Sequence, residues 1–489
     1  MPQSSYEREG GAGRYETQGK RLGVAVGGHA RRHDRAGHGR VVGTSVRIWR
    51  SAQGSGERPH HRTWRRLRRA GAAVQRLRTA AAQGARLRPE RIFRFGTARG
   101  YARAGDFGPD GRWPVAESAA APYKSRILVR RPANPKRFNG TVLVEWLNVT
   151  TGSDLATDFS YTFEELARRG YAYVGVDAQS AGITAPTTGL RAWNPARYGG
   201  LAHPGDEYSY DIFAQAGRTV REHPGLLGGR RVSSVLASGH SQSAMRLVTY
   251  LNTLSKADDV FDGYLVHSRG SFSAPIGGQR PPVPAYIRAD LGAPVLNVQH
   301  EGDVAGPLNS HVARQPDSAR FRLWEVAGGA HDDAYSLEFD GRIPRSYAPC
   351  TTPPNRGDSY QTVNAALSHL NSWAAGRTVP PRAPRLEINA AGTDVVRDSR
   401  GNAVGGIRLP FIEVPTASYN GLGNRECGGW YHGSSVPFDQ ATLDALYPSH
   451  GRYVAQVVHA AARATKQGFL LPADARITVR EAAHSDVGR

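Results

Sequence analysis

The sequence predicts an α/β domain built on a mostly parallel, doubly wound sheet, and three observations carry that prediction. Short apolar runs rich in β-branched residues alternate with stretches of helical spacing between Ser125 and Ala375, the order that lays helices over both faces of a parallel sheet. One run, starting at Val232, turns through Gly239-His-Ser-Gln-Ser243 straight into a helical pattern carried by Met245, Leu247, Val248 and Leu251. Residues able to act as acid and base then fall just past the carboxyl ends of later runs, where open α/β sheets gather their working side chains.

Taken in order, Ser125–Arg130 reads as a strand, Asn134–Gly140 as a turn and Thr141–Leu147 as a buried strand. A helix over 159–169 leads to a strand at Tyr171–Val176. After the serine corner come strands at Tyr264–His267, Pro294–Gln299 and Phe321–Val326, and a helix from Tyr360 to Ala375 closes a core spanning 90–376. Residues 181–227, rich in Pro, Gly and aromatic side chains, read as a lid insertion. Residues 377–489 read as a C-terminal subdomain packed on the core, with a helix over 451–466.

Charge is unevenly spread. Residues 1–100 hold 23 Lys and Arg against 6 Asp and Glu, so +17 of the net +21 sits there and the pI of 10.3 describes an arm rather than the folded body. The segment 1–89 is rich in Arg, Gly, Ala and Ser, with no sustained period. It buries too little to offset its ordering entropy, which predicts a disordered basic arm. Trp64–Arg78 could form a basic helix that meets phosphate or an anionic surface, but a solvated tail is the stronger reading. No secretory signal opens the chain and no apolar run reaches the length of a membrane span. Its two cysteines, Cys350 and Cys427, cannot build a zinc site or a Cys-x-x-Cys redox motif. A disulfide between them would contribute about 4 kcal/mol, and the sequence leaves that pairing open.

A serine on a tight strand-to-helix turn is a nucleophile held up for attack, and the apolar strand before Ser241 and the helical pattern after it supply the required context. Gly239 suits a corner where the chain closely approaches itself, and Ser243 stands where a second glycine is usual. A serine hydroxyl needs a base within hydrogen-bond reach and a carboxylate to orient that base. In doubly wound hydrolases these follow the serine in the order acid, then histidine. The turn after Pro294–Gln299 offers Asp303, with Glu301 as the alternative acid, and the glycine-containing loop after Phe321–Val326 offers His331 as base. The oxyanion needs two backbone N–H donors: Gln242 directly after the serine, and Asn148 or Val149 after Thr141–Leu147. His240, His267 and Arg269 read as lining a substrate pocket.

The ordered set Val144-Glu-Trp-Leu-Asn-Val149, Tyr171–Val176, His203-Pro-Gly-Asp206, Ser209-Tyr-Asp-Ile-Phe213, Gly239-His-Ser-Gln-Ser-Ala244, Val266-His-Ser-Arg269 and Trp324-Glu-Val-Ala-Gly328 resembles a family of bacterial α/β-hydrolase-domain proteins from about residue 90 onward. The resemblance implies the α/β-hydrolase fold, a serine hydrolase activity, and serine in the last place of the Gly-x-Ser-Gln-Ser corner. Members commonly carry a secretory leader where this chain has its basic arm, and His240 stands where glutamate is commoner. The sequence as it stands reads as cytoplasmic, or as secreted if the true start lies downstream or a leader is missing.

The expected function is therefore a serine esterase cleaving carboxylic esters through an acyl-enzyme, with a small-molecule ester as substrate and no metal or organic cofactor. An acyltransferase using the same acyl-enzyme is the alternative. A non-catalytic protein whose basic arm binds nucleic acid ranks last.

Overall fold

The computed structural model describes residues 87–489 except 341–349, 351 and 426–430. The arm expected over 1–89 therefore falls outside the described residues, apart from Leu87–Pro89. A sheet of eight strands organises the chain: β1 (Leu87–Arg103), β2 (Val115–Pro132), β3 (Thr141–Trp146), β4 (Ala172–Val176), β5 (Ser234–His240), β6 (Gly263–His267), β7 (Val295–His300) and β8 (Phe321–Val326). Their spatial order is β1-β2-β4-β3-β5-β6-β7-β8. β3 to β8 run parallel, while β2 is antiparallel to both β1 and β4.

The parallel strands are buried along their whole length because both faces are covered. Strand alternation sends Val142, Val144, Val235, Ala237 and Val266 to one face, and Leu143, Leu236, Leu265 and Leu296 to the other. The first face packs against helices α2 (Ser209–Glu222) and α3 (Gln242–Thr253) through Phe213, Val220, Leu247 and Leu251. The second packs against α1 (Thr157–Arg169) and α4 (Tyr360–Ala374) through Phe159, Leu166, Leu367 and Leu370.

Two expectations need correction. The segment read as a lid over 181–227 divides. Its second half is α2, whose Tyr210, Ile212, Phe213, Ala214, Ala216 and Val220 are buried at helical spacing against the sheet, so this part is a crossover helix. Only the short turns between Ser180 and Tyr208, around a small cluster of Ile183, Leu190, Tyr198 and Leu201, lie outside that layer. The second concerns β1 and the first half of β2, which read as no element at all. β1 carries five arginines, Pro89, Gly96 and Gly100, a poor strand composition that an edge position tolerates and that discourages pairing with another chain. Its pairing with β2 over 17 residues overrides local preference.

Beyond α4 the chain adds a two-stranded sheet, β9 (Ala417–Asn420) with β10 (Ser434–Pro437), and helices α5 (His450–Gln467) and α6 (Pro472–Ala483). Ala461, Ala464, Phe469 and Leu470 join the core face that holds Trp324, and the Phe469 ring meets Trp324 edge-on at 5.2 Å. Cys350 is disulfide-bonded; Cys427, the chain's other cysteine, lies outside the described residues. Among the described residues no helix is long and apolar enough to cross a membrane.

Candidate active site

β5 ends at His240, and Ser241 then adopts φ 58° and ψ −119° before α3 begins. A non-glycine residue held there is strained, and such strain persists only where the surroundings enforce it. The Ser241 N–H donates to the His267 carbonyl at 2.9 Å, tying the corner to the end of β6. Gly239 is required because a Cβ there would sit 2.8 Å from the Ser243 carbonyl oxygen. Ser243 fills the last motif position usefully: its Oγ accepts the His240 N–H at 3.1 Å and donates to the His240 carbonyl at 2.9 Å.

The corner meets two other strand ends. His331 follows β8 across Gly328, where φ is 68° and a Cβ would collide with Ile412. Its Nε2 lies 2.8 Å from Ser241 Oγ, and its Nδ1 lies 2.5 Å from Asp303 Oδ1. An ionised carboxylate only accepts, so the proton sits on Nδ1 and leaves the Nε2 lone pair facing the serine hydroxyl. Asp303 also accepts the His300 N–H at 2.6 Å. Burial would raise its carboxyl, but the adjacent His331 outweighs burial and holds it below its ordinary range.

Glu301, the alternative acid, is turned elsewhere. Its Oε2 accepts the Gly328 N–H at 2.8 Å, and its Oε1 accepts from Arg397 at 2.7 Å and from the Gly421 N–H at 2.9 Å. These bonds fasten the His331 loop to the C-terminal region, and none reaches His331.

The loop after β3 is fixed by Asn148, whose Nδ2 donates to the His240 carbonyl at 3.0 Å and whose Oδ1 accepts the Thr150 N–H at 2.8 Å. Its own N–H is spent on Leu155 O at 3.0 Å, which removes it as an oxyanion donor. Val149 is left of that pair. Gln242 opens α3, where a helix leaves its first N–H groups without internal acceptors.

The three residues read as pocket-lining are interior. His267 is 0% exposed and bonded through Nδ1 to Asp158 Oδ1 at 2.7 Å. Arg269 is 1% exposed and donates to the Ala285 and Ala313 carbonyls at 2.6 and 3.0 Å. Burial pushes its guanidinium down to about 10. His240 is 2% exposed beneath the corner, with Nε2 at 3.0 Å from the His331 carbonyl oxygen. A strand end in a doubly wound sheet is covered by its own following loop, so side chains there point inward as readily as into a cleft.

Two contacts at the site went unread in the sequence. Asp158 and His267 form a second carboxylate–imidazole pair, and Glu145 holds Asp158 in place by accepting the Asp158 and Phe159 N–H groups, both at 2.9 Å. Tyr431 puts its ring 5.3 Å from that of His331, and its carbonyl accepts the Asp332 N–H at 2.8 Å. Both join positions about a hundred residues apart, which no local pattern signals. His203-Pro-Gly-Asp206 has a structural use: Asp206 accepts from Arg246 of α3 and from the Ser180 N–H, both at 2.8 Å.

Sheet order, crossover helices and the strained serine corner together define the α/β-hydrolase class. The chain belongs to the family described as "Alpha/beta hydrolase domain", whose model matches residues 79–480. No curated protein matches it. Among solved structures, it is similar to an α/β serine hydrolase homologue from Coxiella burnetii, with 13% identity over 45% of this chain and 88% of that one and a TM-score of 0.28. It is also similar to an α/β serine hydrolase without lid from Xanthomonas campestris, with 14% identity over 52% and 96% and a TM-score of 0.29. A third is a fungal esterase from Rhizomucor miehei, with 14% identity over 63% and 91% and a TM-score of 0.28.

Proposed function

We propose that the protein is a serine esterase that cleaves carboxylic esters through an acyl-enzyme. The observation that carries the reading is the 2.8 Å contact between Ser241 Oγ, raised on a strained corner, and His331 Nε2, whose far nitrogen is bonded to Asp303. Ser241 Oγ attacks the ester carbonyl carbon while His331 Nε2 takes the hydroxyl proton. The carbonyl oxygen becomes an anion facing the N–H groups of Gln242 and Val149, each such donor being worth about 3 kcal/mol in the transition state. The tetrahedral species collapses, the C–O bond to the alcohol breaks, and His331 returns its proton to the departing alkoxide. Water then attacks the acyl group with His331 again as base, releasing the acid and restoring Ser241. Asp303 stays ionised and stabilises the imidazolium formed in each half-reaction.

The test is hydrolysis of short p-nitrophenyl esters under pre-steady-state conditions. The reading expects a burst of p-nitrophenol approaching one equivalent per chain, abolished by Ser241→Ala with the fold intact. Turnover retained in Ser241→Ala would overturn it.

A further inference from the structure

His240 sits directly before Ser241, yet its side chain does not enter the chemistry proposed for that serine. Its imidazole lies under the corner, with ring centroids 4.7 Å from His267, 4.8 Å from His331 and 6.1 Å from Tyr161. His300 stands behind His267 at 5.1 Å, and the carboxylates Asp158 and Asp303 face His267 and His331. The partner of His240 Nε2 is a carbonyl oxygen, which only accepts, so this nitrogen carries the ring's proton. Burial, and then the neighbouring imidazoles of His267, His331 and His300, hold His240 well below the ordinary histidine range. It therefore stays neutral, in one tautomer, at neutral pH.

The same residue is fixed through its backbone. Its carbonyl accepts from Asn148 Nδ2 and from Ser243 Oγ, and its N–H donates to Ser243 Oγ. Three parts of the site thus meet at His240: the serine corner, the loop after β3 and the His331 loop. The bonded carbonyl belongs to His331 itself, the residue whose side chain must reach Ser241.

We propose that His240 is a positioning residue whose Nε2–H grips the His331 carbonyl and so sets the distance from the His331 imidazole to Ser241. The inference rests on the serine-hydrolase reading. It acts on geometry, where a shift of about 1 Å can cost a hundredfold in rate.

Two variants of the full chain separate this role from mere packing. In His240→Gln the amide nitrogen can occupy the place of Nε2, while in His240→Asn it stops short, near the place of Nδ1. The expected result is that His240→Asn loses about tenfold or more in kcat and in the rate of fluorophosphonate labelling, with KM within about twofold, while His240→Gln stays within about threefold of the unsubstituted chain. Equal rates in the two variants would overturn the proposal. Because both substitutions fall in the core, the tautomer is also read on the unsubstituted protein by long-range proton–nitrogen NMR of ring-labelled histidine, with His240→Gln assigning the signal. An Nε2–H form at pH 7 is expected, and an Nδ1–H form or an imidazolium would overturn the proposal without any variant. Failure of the unsubstituted chain to label at Ser241 would remove the hydrolase reading itself, and this inference with it.

Discussion

Arg397 of the C-terminal region donates to the Glu301 carboxylate at 2.7 Å, and that carboxylate is fully buried beside the His331 loop. Its remaining bonds, to the Gly328 and Gly421 N–H groups, join the end of β8 to the loop after β9. Residues 377–489 are thus wired into the geometry of His331. Removing the guanidinium leaves a buried carboxylate short of its countercharge, a defect of about 2–3 kcal/mol when the lost partner is itself 21% exposed. Arg397→Met should lower the urea midpoint accordingly, and an unchanged midpoint would show that the pair contributes nothing.

The two acidic candidates should separate cleanly. Asp303→Asn removes the acceptor that fixes the His331 tautomer, a change worth about 10⁴-fold in kcat where such a triad operates. Glu301→Gln keeps the shape but weakens the three bonds that fasten the His331 loop to the C-terminal region, so its loss should fall mainly on stability. Steady-state kinetics of both variants, corrected for folded fraction by circular dichroism, checks this. A larger kcat loss in Glu301→Gln would reverse the assignment.

Mild acid should weaken the fold through a buried histidine. His300 is pushed down to about 3, first by burial and then by His267. Its folded value lies below the ordinary 6.5 of the unfolded chain, so the unfolded state binds more protons as pH falls from 6.5 towards 3. The stabilisation is complete above about pH 6.5 and is lost below it, at about 1.4 kcal/mol per pH unit for this one group. Unfolding free energies at pH 7, 6 and 5 should therefore fall more steeply for the unsubstituted chain than for His300→Gln. Parallel lines would contradict the shift.

Ser243 should matter for folding more than its small size suggests. Ser243→Ala strands the buried His240 N–H, which costs about 1–3 kcal/mol. Thermal melts should show the loss, and a melting temperature within error of the unsubstituted chain would mean that the Ser243 hydroxyl is dispensable.

The parallel sheet was legible because β3 to β8 are short, apolar and fully buried, so periodicity and length mark them without help from the rest of the chain. The meeting of Ser241, Asp303 and His331 was legible for a related reason: each follows such a strand, and the end of a strand fixes where the next residues stand. What escaped was decided by distant partners. β1, nearly all of it past the arm, reads as no element because its arginines and glycines carry no strand pattern until β2 is laid beside it. α2 looked like a lid because its Pro- and Gly-rich approach masked the helical spacing of Tyr210, Phe213 and Val220. His240, His267 and Arg269 were placed in a pocket because polar residues at strand ends can face one. Here Asp158, the His331 carbonyl and the Ala285 and Ala313 carbonyls satisfy them inside, and residues so far apart in sequence announce no such pairing.

The most direct measurement is peptide mapping of the protein after reaction with a fluorophosphonate. A single adduct on Ser241 is expected, formed quickly in the unsubstituted chain and slowed by several orders of magnitude in His331→Ala. An adduct on another residue, or labelling of Ser241 at the same rate without His331, would contradict it.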